Sequence, residues 1–177
     1  MTVLRLMLLI GLVALTAICR QNSAKRALVP PASCRVTVAP ANTFMPPASY
    51  KLDDDALGFW WGTEKLWIEL PKSGVWEGWR GPEPGQGPRS GPLTSKTTWW
   101  SVDYDRRREG PDLKVTGRRL DGDAPPILAS EAHDVYIAMM VGVYLPTPGC
   151  WEITGEYKGQ KLSFVVWVTP ELVKPDK

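Results

Sequence analysis

One histidine, two asparagines and three cysteines are spread over 177 residues. A single imidazole, His133 beside Asp134, leaves little for a catalytic triad or a zinc site. The sequence has no Gly-x-Ser-x-Gly elbow; Gly87-Pro88-Arg89-Ser90-Gly91 has the wrong spacing and no strand before it. It also lacks Ser-x-x-Lys and Cys-x-x-Cys, so a Ser-Lys hydrolase and a dithiol redox or metal centre lose their usual signatures. Charge of one sign is missing too. Twenty-one Lys and Arg against 19 Asp and Glu give +2, which is not the footprint of a nucleic-acid-binding protein. Downstream of residue 19 no apolar run is long enough for a membrane-spanning helix, and no segment keeps a capped 3.6-residue period.

What is abundant is tryptophan, proline and glycine, at nine, 17 and 16 residues. That mixture favours a loop-rich, aromatic β protein, and the length suits one well-cored domain. Residues 6–18 are continuously apolar behind Arg5. As a helix they rise only about 20 Å, short of the roughly 30 Å hydrocarbon core, so they read as a signal peptide over residues 1–19. Two processing routes are open. Ala17 and Cys19 fit cleavage after Cys19; alternatively Cys19 is an acylated lipoprotein cysteine, although Ile18 stands where such a box has Gly, Ala or Ser. Either route predicts an exported protein, periplasmic, extracellular or lipid-anchored, that meets the membrane only through that anchor.

Both routes remove Cys19 from the folded part and leave Cys34 and Cys150. In an oxidising compartment these are expected to form a disulfide, the alternative being two buried thiols. The closed loop exceeds a hundred residues, which corresponds to on the order of 4 kcal/mol in the loop-entropy picture. Because Cys150 alternates with Trp151 and Ile153, it is expected to face away from the main core and to pin the N-terminal segment to the last hairpin.

Residues 20–50 are rich in Pro and Ala and read as a strap, with one short strand where Cys34, Val36 and Val38 alternate with Arg35 and Thr37. Residues 51–177 read as the folded domain. Alternation predicts strands over 66–70, 75–79, 97–104, 113–120 and 135–145, the last apolar on both faces and therefore central, with a Gly/Pro-rich loop at 81–92. The clearest unit is a hairpin of 150–157 and 162–168. The expected fold is an all-β sandwich of roughly seven to nine strands.

The run Pro148-Gly149-Cys150-Trp151-Glu152-Ile153-Thr154-Gly155, then Gly159 and Leu162-Ser163-Phe164-Val165-Val166, resembles the last hairpin of bacterial extracellular immunoglobulin-like sandwiches. With residues 62–70 and Gly117-Arg118-Arg119-Leu120-Asp121, the chain resembles an uncharacterised family of secreted or lipid-anchored bacterial proteins over residues 34–169. The resemblance implies an immunoglobulin-like fold, export and the Cys34 to Cys150 bridge. It implies no activity.

Other constellations are weak. Glu69, Glu77 and Glu152 are the strand carboxylates available for glycoside hydrolysis. Asp53-Asp54-Asp55 and Asp121-Gly122-Asp123 lack the spacing of a calcium loop, so no metal and no cofactor are expected. Arg106-Arg107-Arg108 and Arg118-Arg119 form one basic patch only if their segments pair.

The tryptophans are the sharpest feature. Parity places Trp100 and Trp151 in the core and turns Trp67, Trp99 and Trp167 outward. Those three either form a platform for sugar rings or a partner protein, or make a second hydrophobic layer covered by the strap. The expectation is therefore a non-enzymatic structural or interaction module at the bacterial envelope, its partner an envelope protein or a glycan. The alternatives are a carbohydrate-binding module and a small hydrolase.

Overall fold

The computed structural model describes residues 29–42, 44–50, 58–80 and 91–169. The signal peptide, Cys19, Asp53-Asp54-Asp55, Ser90 and most of the Gly/Pro-rich loop lie outside these residues. The strands are β1 (Gly58–Gly62), β2 (Trp67–Pro71), β3 (Val75–Glu77), β4 (Trp79–Arg80), β5 (Leu93–Trp100), β6 (Lys114–Arg119), β7 (Leu128–Ala129), β8 (His133–Val135), β9 (Ala138–Leu145), β10 (Gly149–Tyr157) and β11 (Gln160–Thr169). The only helical element among the described residues is the 3-10 turn Ala48–Tyr50.

Seven strands form one sheet, in the order β1-β2-β5-β9-β7 with β4 also on β5 and β8 also on β9. Four form the other, in the order β3-β11-β10-β6. Their inner faces enclose one core, in which Ile68, Leu70, Met139, Val141, Val143 and Leu145 of the first sheet meet Trp151, Ile153, Phe164, Val166 and Val168 of the second. The β-sandwich expected from the alternation is present. It is more divided than the seven to nine strands expected, because Gly78 separates β3 from β4 and a hairpin interrupts residues 133–145.

Three differences have local causes. The 97–104 strand ends at Trp100, where Ser101 Oγ accepts from the Asp103 N–H and begins a loop. The long 135–145 strand is really β8, a two-residue turn at Tyr136 and Ile137, and β9. Finally, β1, with the sequence Gly-Phe-Trp-Trp-Gly, has apolar residues on both faces and no alternation to reveal it. The terminal hairpin is as expected. Its loop is Lys158 and Gly159, both with positive φ, the backbone that a two-residue hairpin of this twist requires.

The strap carries no strand at 34–38, but it follows the expected path. Cys34 is bridged to Cys150 with Cα atoms 5.6 Å apart, both cysteines are buried, and Cys150 stands outside the main core. Beyond the bridge the strap protects a sheet edge. β3 pairs with β11 only at residues 167–169. Farther along the same edge, Thr37 N–H donates to the Val165 carbonyl at 2.9 Å and Thr37 Oγ1 accepts from the Val165 N–H at 2.8 Å. The Trp61 indole N–H then donates to the Ser163 carbonyl at 3.0 Å. An edge that would otherwise present unpaired backbone to a neighbouring chain is thereby closed.

Candidate functional site

One pole of the sandwich gathers four connections: residues 63–66, 101–113, 136–137 and 158–159. The β8–β9 turn projects from it. Val135, Tyr136 and Ile137 are all exposed there, Tyr136 at 77%. Tyr136 has φ 57°. Ile137 does not share the positive φ, so the aromatic residue occupies the first central position of a two-residue hairpin, where glycine is ordinarily placed. A bulky side chain in this backbone costs about 1–2 kcal/mol. Strain of this kind gathers at functional positions.

Around the tip the polar groups are ordered. Tyr104 Oη donates to Asp134 Oδ1 at 2.9 Å, and Arg106 Nε lies 3.5 Å from Asp134 Oδ2. The Arg106 guanidinium stands 5.9 Å from the centre of the Tyr136 ring, within cation–π range. Arg108 pairs with Asp105 at 3.1 Å. Arg107 has no ion-pair partner among the described residues. Its side chain lines a cleft of about 420 Å³ with Tyr104, Asp105, Arg106, Tyr136 and Ile137. Burial, reinforced by the hydrogen bond and charge of Asp134, pushes the Tyr104 hydroxyl up to about 12. It is therefore a fixed hydrogen-bond donor to Asp134 at neutral pH, and the carboxylate in turn holds Arg106.

A second network supports the first. Tyr104 and Tyr157 meet edge to face with ring centres 6.2 Å apart. Tyr157 Oη donates to Glu109 at 3.1 Å, while Lys158 pairs with Glu109 and donates to the Asp103 carbonyl at 2.7 Å. The Lys158 contact draws the Glu109 carboxyl below its usual range, and Glu109 raises Lys158. These contacts tie the 101–113 loop to the β10–β11 turn, so the cleft is bordered by restrained backbone.

The tryptophans are arranged differently from the expected platform. Trp99 points inward, not outward, and is completely buried against Phe164 at 5.7 Å between ring centres. Trp100, expected in the main core, is on the outer face of the seven-stranded sheet, where Trp60 meets it edge to face at 5.2 Å. The reversal follows from register: Ile68 faces the core and pairs with Trp99, whereas Trp67 pairs with Trp100. Trp67 does face outward, but Phe44 and Tyr50 of the strap cover it at 5.6 and 5.1 Å. Trp167 is half-buried on the outer face of the other sheet, opposite Cys150. The three rings lie on three separate surfaces, two of them without solvent access; for Trp67 the covered second layer is the arrangement found. Trp151 is in the core as expected.

The remaining candidates do not converge. His133 is exposed on β8, while Ser130 Oγ donates to the Glu131 carbonyl and accepts from the Gly142 N–H. Glu69 is on the outer face of the seven-stranded sheet, Glu77 is on β3, and Glu152 is on the opposite outer face, paired with Arg118 at 2.7 Å. The two arginine runs are separate: Arg119 is held by Asp121 at 2.7 Å, toward the other end of β6. Among the described residues no group of three His, Cys, Asp or Glu side chains is placed to hold a metal ion, and no helix is long and apolar enough to cross a membrane.

Sequence reasoning missed the pole because Tyr136 and Ile137 read as two more apolar positions in a long strand. No Gly, Pro, Asn or Asp stands at the turn to mark it. No protein-family model and no curated protein matches the chain.

Proposed function

We propose that this chain is an exported, non-enzymatic, immunoglobulin-like β-sandwich of the bacterial envelope that docks a partner protein through the Tyr136 pole. The observation that carries this reading is an exposed tyrosine held in a glycine-type backbone, flanked by exposed Val135 and Ile137 and by Arg107, which has no ion-pair partner among the described residues. Tyrosine and arginine on a restrained scaffold are the residues that most often dominate binding energy. The partner should offer an apolar pocket for Tyr136 and Ile137 and a carboxylate for Arg107. Export is supported by the apolar N-terminal segment and the Cys34–Cys150 disulfide. The non-enzymatic reading is supported by an exposed His133 that makes no side-chain hydrogen bond among the described residues and by strand glutamates on opposite outer faces, Glu69 and Glu152.

The test is co-purification from the producing bacterium, comparing the native chain with Tyr136→Ala and Arg107→Glu. Both variants are expected to fold normally and to lose the same partner. Retention of every partner by both variants would contradict the reading.

A further inference from the structure

The two largest apolar exposures of the sandwich lie toward opposite ends of one strand. Among the described residues Tyr136 and Leu128 are the most exposed large hydrophobic side chains, at 77% and 73%. Tyr136 stands in the turn that leads into β9, whereas Leu128 pairs with Tyr144 near the far end of the same strand. The eight residues of β9 span about 27 Å, so one copy cannot bring the two together.

At the Leu128 end there is an apolar groove of about 460 Å³. Its position follows from the strand ends: Pro92 precedes β5, Pro125 and Pro126 precede β7, and Pro146 follows β9. Val143 and Leu145 enter the core, which turns Tyr144 outward, and the register sets Leu128 beside it. Proline has no side-chain freedom to lose on burial, so the groove is organised before anything enters it.

Charge distinguishes the two ends. Arg107 lines the cleft beside Tyr136 and has no ion-pair partner among the described residues. Asp123, exposed and two residues before Pro125, likewise has no ion pair or side-chain hydrogen bond among them, while its neighbour Asp121 is held by Arg119. An unpaired cation therefore accompanies the projecting turn, and an unpaired anion stands close in the chain to the groove.

We infer, on the reading that the Tyr136 pole docks a partner, that the partner is a second copy of this chain. Its groove receives Tyr136 and Ile137, the phenol ring packs against Tyr144 and proline, and Arg107 pairs with Asp123. Neither surface is complementary to itself, so the contact is head to tail. Each copy added leaves a turn and a groove open for the next.

The experiment is sedimentation velocity of the purified chain over a concentration series. The mass is expected to rise past the dimer. Tyr136→Ala and Leu128→Glu should each abolish association, and circular dichroism checks that both variants fold. An equimolar mixture of the two should form dimers and stop there, because it retains one intact turn and one intact groove. Arg107→Glu and Asp123→Lys should each weaken association about tenfold or more, and the double variant should restore it. A native chain that stays monomeric at roughly millimolar concentration, association unaltered in both apolar variants, or a mixture that forms no dimer would overturn self-docking. Whether the Tyr136 pole holds some other protein is read separately, from the co-purification.

Discussion

The six-membered ring of Trp99 occupies the space that a side chain at Gly155 would need: a Cβ there would sit 2.5 Å from both Cζ3 and Cη2 of the indole. Trp99 projects from β5 across the core and Gly155 lies in β10, so this contact sets how closely the two sheets approach. Gly155→Ala should destabilise the fold by about 1–3 kcal/mol, the cost of forcing extra volume into a packed core. Urea unfolding of the variant checks this. An unchanged midpoint would mean that Trp99 has another low-energy position.

Cys34 and Cys150 are 116 residues apart, and the strap segment that follows the bridge covers Trp67. Replacing both cysteines by serine should lower stability by on the order of 4 kcal/mol in the loop-entropy picture. It should also loosen Phe44 and Tyr50 from the ring. Denaturation measures the first effect, and a red shift of tryptophan emission before global unfolding measures the second.

Tyr136→Gly relieves the left-handed backbone and should raise stability by about 1 kcal/mol. The same change removes the aromatic anchor, so partner binding should fall as stability rises. Thermal melting and a binding assay on one preparation separate the two. A variant that is destabilised would show that the tyrosine side chain supports the fold.

Tyr104 is held neutral in the folded protein, its hydroxyl pushed to about 12 by burial and Asp134. The ordinary value for an unfolded tyrosine is about 10. Since the folded value is the higher one, the contribution of this group is fully present below pH of about 10 and is lost as pH rises toward about 12. Tyrosinate absorbance should show a late-ionising tyrosine that disappears in Tyr104→Phe. Asp134→Asn should let it ionise earlier.

The outline of the sandwich was legible wherever one face of a strand is buried and the other is not. Leu162, Phe164, Val166 and Val168 alternate strictly, and β11 formed where they predict it. The Cys34–Cys150 bridge followed from counting cysteines. Parity failed at Thr98-Trp99-Trp100, because two adjacent indoles look alike to an alternation argument and only the pairing of Ile68 with Trp99 decides which enters the core. The β8–β9 turn was illegible for a different reason. Its geometry uses Tyr136 where turn chemistry predicts glycine, and residues that defy local preference are invisible to rules built on it. Residues 95–98 of β5 have a strand neighbour only on the β9 side because the chain passes from β2 to β3 in the other sheet before it returns as β4, an excursion that no local pattern encodes.

The docking claim is tested most directly by placing a photo-crosslinking amino acid at Tyr136, at Ile137 and, as a control, at Thr116 on the outer face of the four-stranded sheet, in the producing bacterium. One discrete adduct is expected from the two pole positions, lost when Arg107→Glu is added, and none from Thr116. Adducts equally frequent at all three positions, or none at the pole, would contradict it.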